Sequence, residues 1–168
     1  MSANTLFNDS TVILGIETSC DETAAAVVMG GNDVLSSVVA TQIDLHARYG
    51  GVVPEIASRA HVEAMNVVIR QAISQSGVPI ERIDAVAATV GPGLIGALLV
   101  GVAAAKSVAL VLDKPFIGVN HLEAHLYAAL LDDPHVEFPM LVVLVSGGNT
   151  LFVEMRGHGD FSVIGQTI

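Results

Sequence analysis

The order of its apolar runs constrains this chain's fold more than any other feature. Residues 11–16 (TVILGI), 23–29 (TAAAVVM) and 34–40 (VLSSVVA) are short and rich in β-branched residues, and the segments between them, 17–22 and 30–33, are too short to hold a helix. Runs spaced this way form strands joined by turns, here a three-stranded antiparallel meander with Gly30-Gly31-Asn32-Asp33 as its second turn. The period then changes. Apolar residues at 56, 57, 60, 64, 65, 68, 69, 72 and 73 follow the three-and-four spacing of an amphipathic helix over 56–76, closed by Gly77 and Pro79. A strand at 83–89, a helix at 94–112, a strand at 116–119 and a helix running from Asn120, its cap, to Leu131 follow, stopped by Asp132-Asp133-Pro134. Residues 41–55, with His46, Arg48, Tyr49 and Pro54, read as a polar loop that either binds or is simply solvated.

Three antiparallel strands followed by alternating helices and strands is the order of an α/β RNase H-like domain, the unit duplicated in the actin, Hsp70 and sugar kinase superfamily. The pattern restarts: an apolar strand at 140–145, a hydroxyl-bearing turn at 146–150, a return strand at 151–155 and a third at 161–164. The expected organisation is therefore a disordered N-terminus over 1–10, a first RNase H-like domain over 11–135, and the opening strands of a second copy over 136–168. Strands without a covering helix layer mark the chain as the N-terminal part of a longer protein.

Composition narrows what such a chain binds. Its residues are 52% hydrophobic and only 14% charged, so much of its surface is expected to be covered by a partner or a further domain. Seven Lys and Arg are scattered singly against seventeen acids, and a net charge of -10 without a basic stripe argues against nucleic-acid binding by this piece alone. The single cysteine, Cys20, rules out an internal disulfide and fits a reducing cytosol. Residues 1–10 resemble neither a secretory signal nor a transit peptide. The apolar stretch 94–112 reaches spanning length but carries Lys106, lacks flanking anchors, and reads instead as a helix buried between sheet and neighbour.

Three stretches carry candidate chemistry. His121 and His125 stand four residues apart, so on a helix both rings lie on one face and suit one metal ion, which still needs another ligand. The turn Glu17, Thr18, Ser19, Cys20, Asp21, Glu22 crowds hydroxyls and carboxylates between two strands, and its counterpart in the second copy is Ser146, Gly147, Gly148, Asn149, Thr150. In the superfamily such turns oppose each other across a cleft and face nucleotide phosphates, with small residues admitting backbone N–H groups and acids holding a metal or water. The glycines at 91 and 93 precede a helix and could seat an anion, but close packing of strand on helix is the favoured reading.

The segments GIETSCDET (15–23), HARYGGVVPEIASRAHVE (46–63), GPGLIGALLVG (91–101), GVNHLEAHL (118–126) and LVSGGNT (144–150) together resemble the TsaD (Gcp) family of tRNA threonylcarbamoyl-adenosine synthases. The resemblance covers nearly all of the chain beyond residue 10. It implies transfer of a threonylcarbamoyl group from threonylcarbamoyl-AMP to N6 of the adenosine beside the anticodon, in tRNAs that read codons beginning with A. It further implies His121 and His125 as ligands of an iron or zinc ion whose third protein ligand, an aspartate, lies outside this chain, and Leu144, Val145, Ser146, Gly147 and Gly148 as the segment contacting the adenylate. The implied partners are tRNA, TsaB-type and TsaE-type proteins, and a TsaC-type enzyme that makes the adenylate. The first helices are similar to those that dock TsaB. Asn149 stands where bacterial members usually carry His, which puts in doubt a role for an imidazole there.

Two rival readings remain. A zincin endopeptidase needs its acid directly after the first histidine, whereas Glu123 comes two residues later, about 200 degrees round a helix. A non-catalytic scaffold of the TsaB type shares the fold but generally lacks the histidine pair. With only two of the ligands present, the chain by itself is expected to be inactive and largely metal-free.

Overall fold

The computed structural model describes residues 8–133, 135–146 and 150–167. Five strands form one sheet: β1 (Val12–Glu17), β2 (Glu22–Met29), β3 (Asp33–Thr41), β4 (Ala85–Gly91) and β5 (Phe116–Asn120), in the spatial order β3-β2-β1-β4-β5. The meander is present as read, with β1–β2 and β2–β3 antiparallel, while β4 and β5 add in parallel to β1. Parallel neighbours need crossover helices, supplied by α2 (Pro54–Ser76) and α3 (Ile95–Leu112). Gly30 and Gly31 both adopt positive φ, 62° and 89°, to close the second turn.

Alternation along β1 decides which face is buried. Val12, Leu14 and Ile16 point into the core with Ala25 and Val27 of β2 and Val86 and Ala88 of β4, against Met65, Val68, Ile69 and Ala72 of α2 and Ala105 and Ala109 of α3. α3 is long and apolar enough to cross a membrane by length and composition. Its Ala97, Leu98, Gly101, Ala105 and Ala109 are buried, whereas Ile95, Leu99, Leu110 and Val111 are exposed. Within the described residues the sheet covers one of its faces, and the other face carries the exposed residues on which the expected neighbour would pack.

Three local departures have clear causes. Residues 8–10 form a hydrogen-bonded turn, with the Asn8 side chain accepting from Ser10 and the Asn8 N–H donating to Thr11 Oγ1, where disorder is expected through Ser10. Residues 1–7 of that expected tail lie outside the described residues. The polar loop contains a short helix, α1 (Ile43–Ala47), and α2 starts early because Pro54 suits a first helical turn.

The chain divides into two compact units, the first ending at His121 and the second beginning at Leu122. The second holds most of α4 (His121–Asp132) with an antiparallel sheet of β6 (Met140–Val145), β7 (Thr150–Gly157) and β8 (Asp160–Gln166). Leu126 packs with Val153 and Met155, and Tyr127, Phe138, Met140 and Phe161 close around them. The sequence order places the boundary at 135/136, with α4 in the first domain. Within this unit the buried side chain of α4, Leu126, packs on Val153 and Met155 of β7.

Candidate functional site

The parallel pairing decides where the polar residues meet. Ile16 pairs with Ala88, so Glu17 and Thr89 leave the sheet side by side, and Gly91 pairs with Asn120, so His121 emerges at the same edge. Ligand sites of open α/β sheets form at these carboxyl ends of parallel strands.

Glu17 is the hub. One carboxylate oxygen accepts the Ser19 N–H at 2.5 Å and the other accepts a short hydrogen bond from the Thr89 hydroxyl. The second oxygen also lies 3.9 Å from His121 Nδ1, and Ser19 Oγ lies 3.1 Å from that nitrogen. Thr18 and Ser19 are buried; Thr18 donates its hydroxyl to the Ala97 carbonyl at 2.8 Å and so ties the turn to α3. The Leu94 N–H, at the start of α3, donates to the Ser19 carbonyl at 2.8 Å.

Glycines permit this closeness. A Cβ on Gly93 would sit 2.7 Å from the Ser19 carbonyl oxygen, and one on Gly101 would sit 2.3 Å from Thr18 Oγ1. Gly93 packs on the Ser19 carbonyl, which also accepts the Leu94 N–H that opens α3.

Cys20 is exposed at the turn's tip, and Asp21 and Glu22 are half-buried. Partial burial raises the Glu22 pKa, and Asp21 beside it adds to the rise by its charge and a hydrogen bond. The turn therefore holds a carboxyl group that takes up a proton more readily than a free glutamate.

His121 and His125 lie one turn apart on α4, as their spacing requires. Among the described residues no group of three or more His, Cys, Asp or Glu is placed to hold a metal ion. His121 nevertheless has surroundings that suit a metal-ligating imidazole. A ligating imidazole characteristically has its non-ligating nitrogen engaged by a carboxylate, hydroxyl or carbonyl, and Ser19 Oγ and Glu17 occupy that place at His121 Nδ1. Glu123 sits off the face shared by the two histidines, so the geometry of a zincin is not formed.

Of the remaining expected site residues, Leu144 and Val145 end β6 and Ser146 follows it, while Gly147, Gly148 and Asn149 lie outside the described residues. Thr89 and Gln42 carry no signal in the sequence; Thr89 reaches Glu17 across 72 residues through strand pairing alone. His61 is visible in the sequence only as a polar residue of the amphipathic helix and a member of the segment 46–63.

The profile of the family described as TsaD, tRNA N6-adenosine threonylcarbamoyltransferase, matches residues 33–168. This chain belongs to the TsaD family. Curated TsaD relatives bear the same description: one from Symbiobacterium thermophilum is 59% identical over 157 residues, one from Geobacillus kaustophilus 57% over 160, and one from Clostridium perfringens 53% over 159. Those alignments cover 94–95% of this chain but 46–47% of each relative, so the chain spans about half the length of the curated TsaD proteins it matches. Among solved structures, YeaZ from Pseudomonas aeruginosa aligns with TM-score 0.59 at 17% identity, over 94% of this chain and 66% of that one. The Aquifex aeolicus PPX-GPPA enzyme aligns with TM-score 0.50 at 14% identity, over 94% and 51%. These likenesses establish the RNase H-like, actin-type fold of the TsaD chain.

Proposed function

We propose that this chain is the N-terminal part of an enzyme that transfers a threonylcarbamoyl group from threonylcarbamoyl-AMP to N6 of the adenosine beside the anticodon of tRNAs reading A-starting codons. The observation that carries this reading is the approach of Ser19 and Glu17 to His121 Nδ1. That contact suits an imidazole whose other nitrogen is the ligand, and with His125 it would supply two positions of a metal site. When bound by His121, His125 and an aspartate outside these 168 residues, an iron or zinc ion would supply Lewis-acid polarisation of carbamoyl or phosphate oxygens.

The chain's own residues orient and receive. Glu17 stays in place because Thr89 and the Ser19 N–H occupy its two oxygens, and through it and Ser19 the ring of His121 is aimed. Leu144, Val145, Ser146, Gly147 and Gly148 are assigned to the adenylate, and Glu17, Thr18, Ser19, Asp21 and Glu22 to the phosphate-side turn. The partners are a TsaB-type protein on the exposed apolar residues of α2 and α3, a TsaE-type protein and tRNA, in the cytoplasm. Val62 and Val67 of α2 and Ile95, Leu99 and Leu110 of α3 are exposed apolar side chains suited to such cover.

The test replaces His121 and His125 together with Ala in the full-length protein, with bound iron and zinc measured by mass spectrometry beside threonylcarbamoyl transfer to tRNA. Loss of both metal and transfer is expected. Unchanged metal content overturns the ligand assignment, and unchanged transfer overturns its role in the reaction.

A further inference from the structure

His61 is fully buried, and its two ring nitrogens meet partners of opposite kind. Nε2 lies 3.1 Å from the Cys20 carbonyl oxygen, to which it can only donate. Nδ1 lies 2.8 Å from Thr23 Oγ1 and 3.3 Å from Gln42 Nε2. An amide NH2 offers no lone pair, so Nδ1 is the acceptor and the ring is the neutral Nε2–H tautomer. The Gln42 amide is oriented by two further contacts: its Nε2 donates to the Ala57 carbonyl at 3.4 Å, and its Oε1 lies 3.0 Å from His46 Nε2. His46 Nδ1 in turn accepts the Val53 N–H at 3.4 Å. Donors and acceptors thus run in one direction, from the Val53 N–H through His46, Gln42 and His61 to the Cys20 carbonyl.

That last contact is one of three on consecutive residues. The carbonyls of Ser19, Cys20 and Asp21 accept from the Leu94 N–H at 2.8 Å, from His61 Nε2 at 3.1 Å and from the Gln42 N–H at 3.0 Å. The entry to α3, the body of α2 and the entry to α1 each grip one carbonyl of the acidic turn. The side-chain relay supplies the middle grip, immediately beyond the serine whose hydroxyl touches His121.

We propose that His61 is a positioning residue: held as the neutral Nε2–H imidazole by Gln42 and His46, it fixes the Cys20 carbonyl and thereby the acidic turn against His121. Burial lowers the His61 pKa and favours this form; the Cys20 carbonyl and the charges of Glu17 and Asp21 pull it up, and His46 pushes it down, leaving it below its ordinary value. The weight of the relay in catalysis rests on the transferase reading above, while the relay itself rests on these contacts alone.

The experiment is long-range ¹H–¹⁵N correlation spectroscopy of the imidazoles in the ¹⁵N-labelled chain at neutral pH, which shows for each ring nitrogen whether it carries a proton. His46 and His61 are both expected as neutral Nε2–H tautomers; an Nδ1–H tautomer or an imidazolium at His61 overturns the relay. Gln42→Glu puts an oxygen that can only accept opposite His61 Nδ1, so His61 is expected to become doubly protonated and the ring signals of His121 to move. His121 signals unchanged in the folded variant overturn the positioning role. Should Gln42→Glu not fold, Gln42→Met, similar in shape but without the donor, is read in the same way: moved His121 signals support the role and unmoved ones overturn it. None of these readouts uses substrate, so absence of transfer in the full-length protein would overturn the transferase reading and not the relay.

Discussion

Gly101→Ala separates helix propensity from packing at the floor of the site. In an open helix the change is stabilising by about 1 kcal/mol, because alanine has less backbone freedom to lose than glycine. Here the new methyl would lie 2.3 Å from Thr18 Oγ1 and 3.3 Å from its Cγ2, with Thr18 only 1% exposed. Thr18 must shift or turn, and forcing a methyl into a closed core costs about 1–3 kcal/mol. Turning its hydroxyl away from the Ala97 carbonyl, 2.8 Å distant, strands a buried donor at a further cost of about 1–3 kcal/mol. The packing terms outweigh the propensity gain, and a net loss of about 1–5 kcal/mol is expected, or about 2–4 °C in Tm for each kcal/mol in a chain of this size. Thermal unfolding followed by circular dichroism measures it. Thr18→Ala combined with Gly101→Ala removes both the clash and the stranded hydroxyl, so the double variant is expected to be more stable than the two single losses together imply. A Tm that rises in Gly101→Ala, or additivity within about 0.5 kcal/mol in the cycle, refutes the argument.

Other outcomes follow from the same structure. Leu14→Ala, at a fully buried position in the centre of the sheet, is expected to cost about 2–5 kcal/mol in denaturant unfolding with an unchanged slope. Because the folded-state pKa of His61 lies below its ordinary 6.5, the unfolded chain binds the proton first as acid is added. Stability is therefore fully present above about pH 6.5 and falls below it, until the folded form also protonates. Urea midpoints that stay level from pH 7.5 to 5.5, or that fall as steeply in a folded His61→Gln chain, would contradict this. Mixed with its partners, adenylate and tRNA, the 168-residue chain is expected to give no transfer; robust transfer would show the site complete within it. Its exposed Ile95, Leu99, Leu110 and Val111 are expected to drive concentration-dependent association in sedimentation, and a monomer at every concentration would count against that.

How much of this was legible beforehand follows from the range of the interactions. The strands and helices announce themselves through periods of two and about three and a half, which each stretch carries alone, and the meander, both crossovers and the histidine-bearing helix are where those periods put them. The five-residue α1 is too short to show a period. The packing partners of α4 are not legible for another reason: an apolar stripe shows that a face is to be buried and not against what, and Leu126 packs on Val153 and Met155. At the site, the four-residue spacing of His121 and His125 and the crowding of 17–22 stand out in the sequence. Thr89 and Gln42 do not, because one threonine or glutamine among many carries no pattern.

By itself, then, the sequence determined the order of the longer elements, the family and the chemical character of the candidate groups, all of which reside in local periodicity or in the run of neighbouring residues. The tertiary structure alone decided which groups meet. Parallel pairing of β1 with β4 and of β4 with β5 brings Glu17, Thr89 and His121 to one edge of the sheet, and burial of α2 carries His61 to the Cys20 carbonyl. Hydrogen bonds between residues 41 to 102 positions apart depend on strand register and helix docking, which are set by how the whole apolar core closes rather than by any stretch of chain.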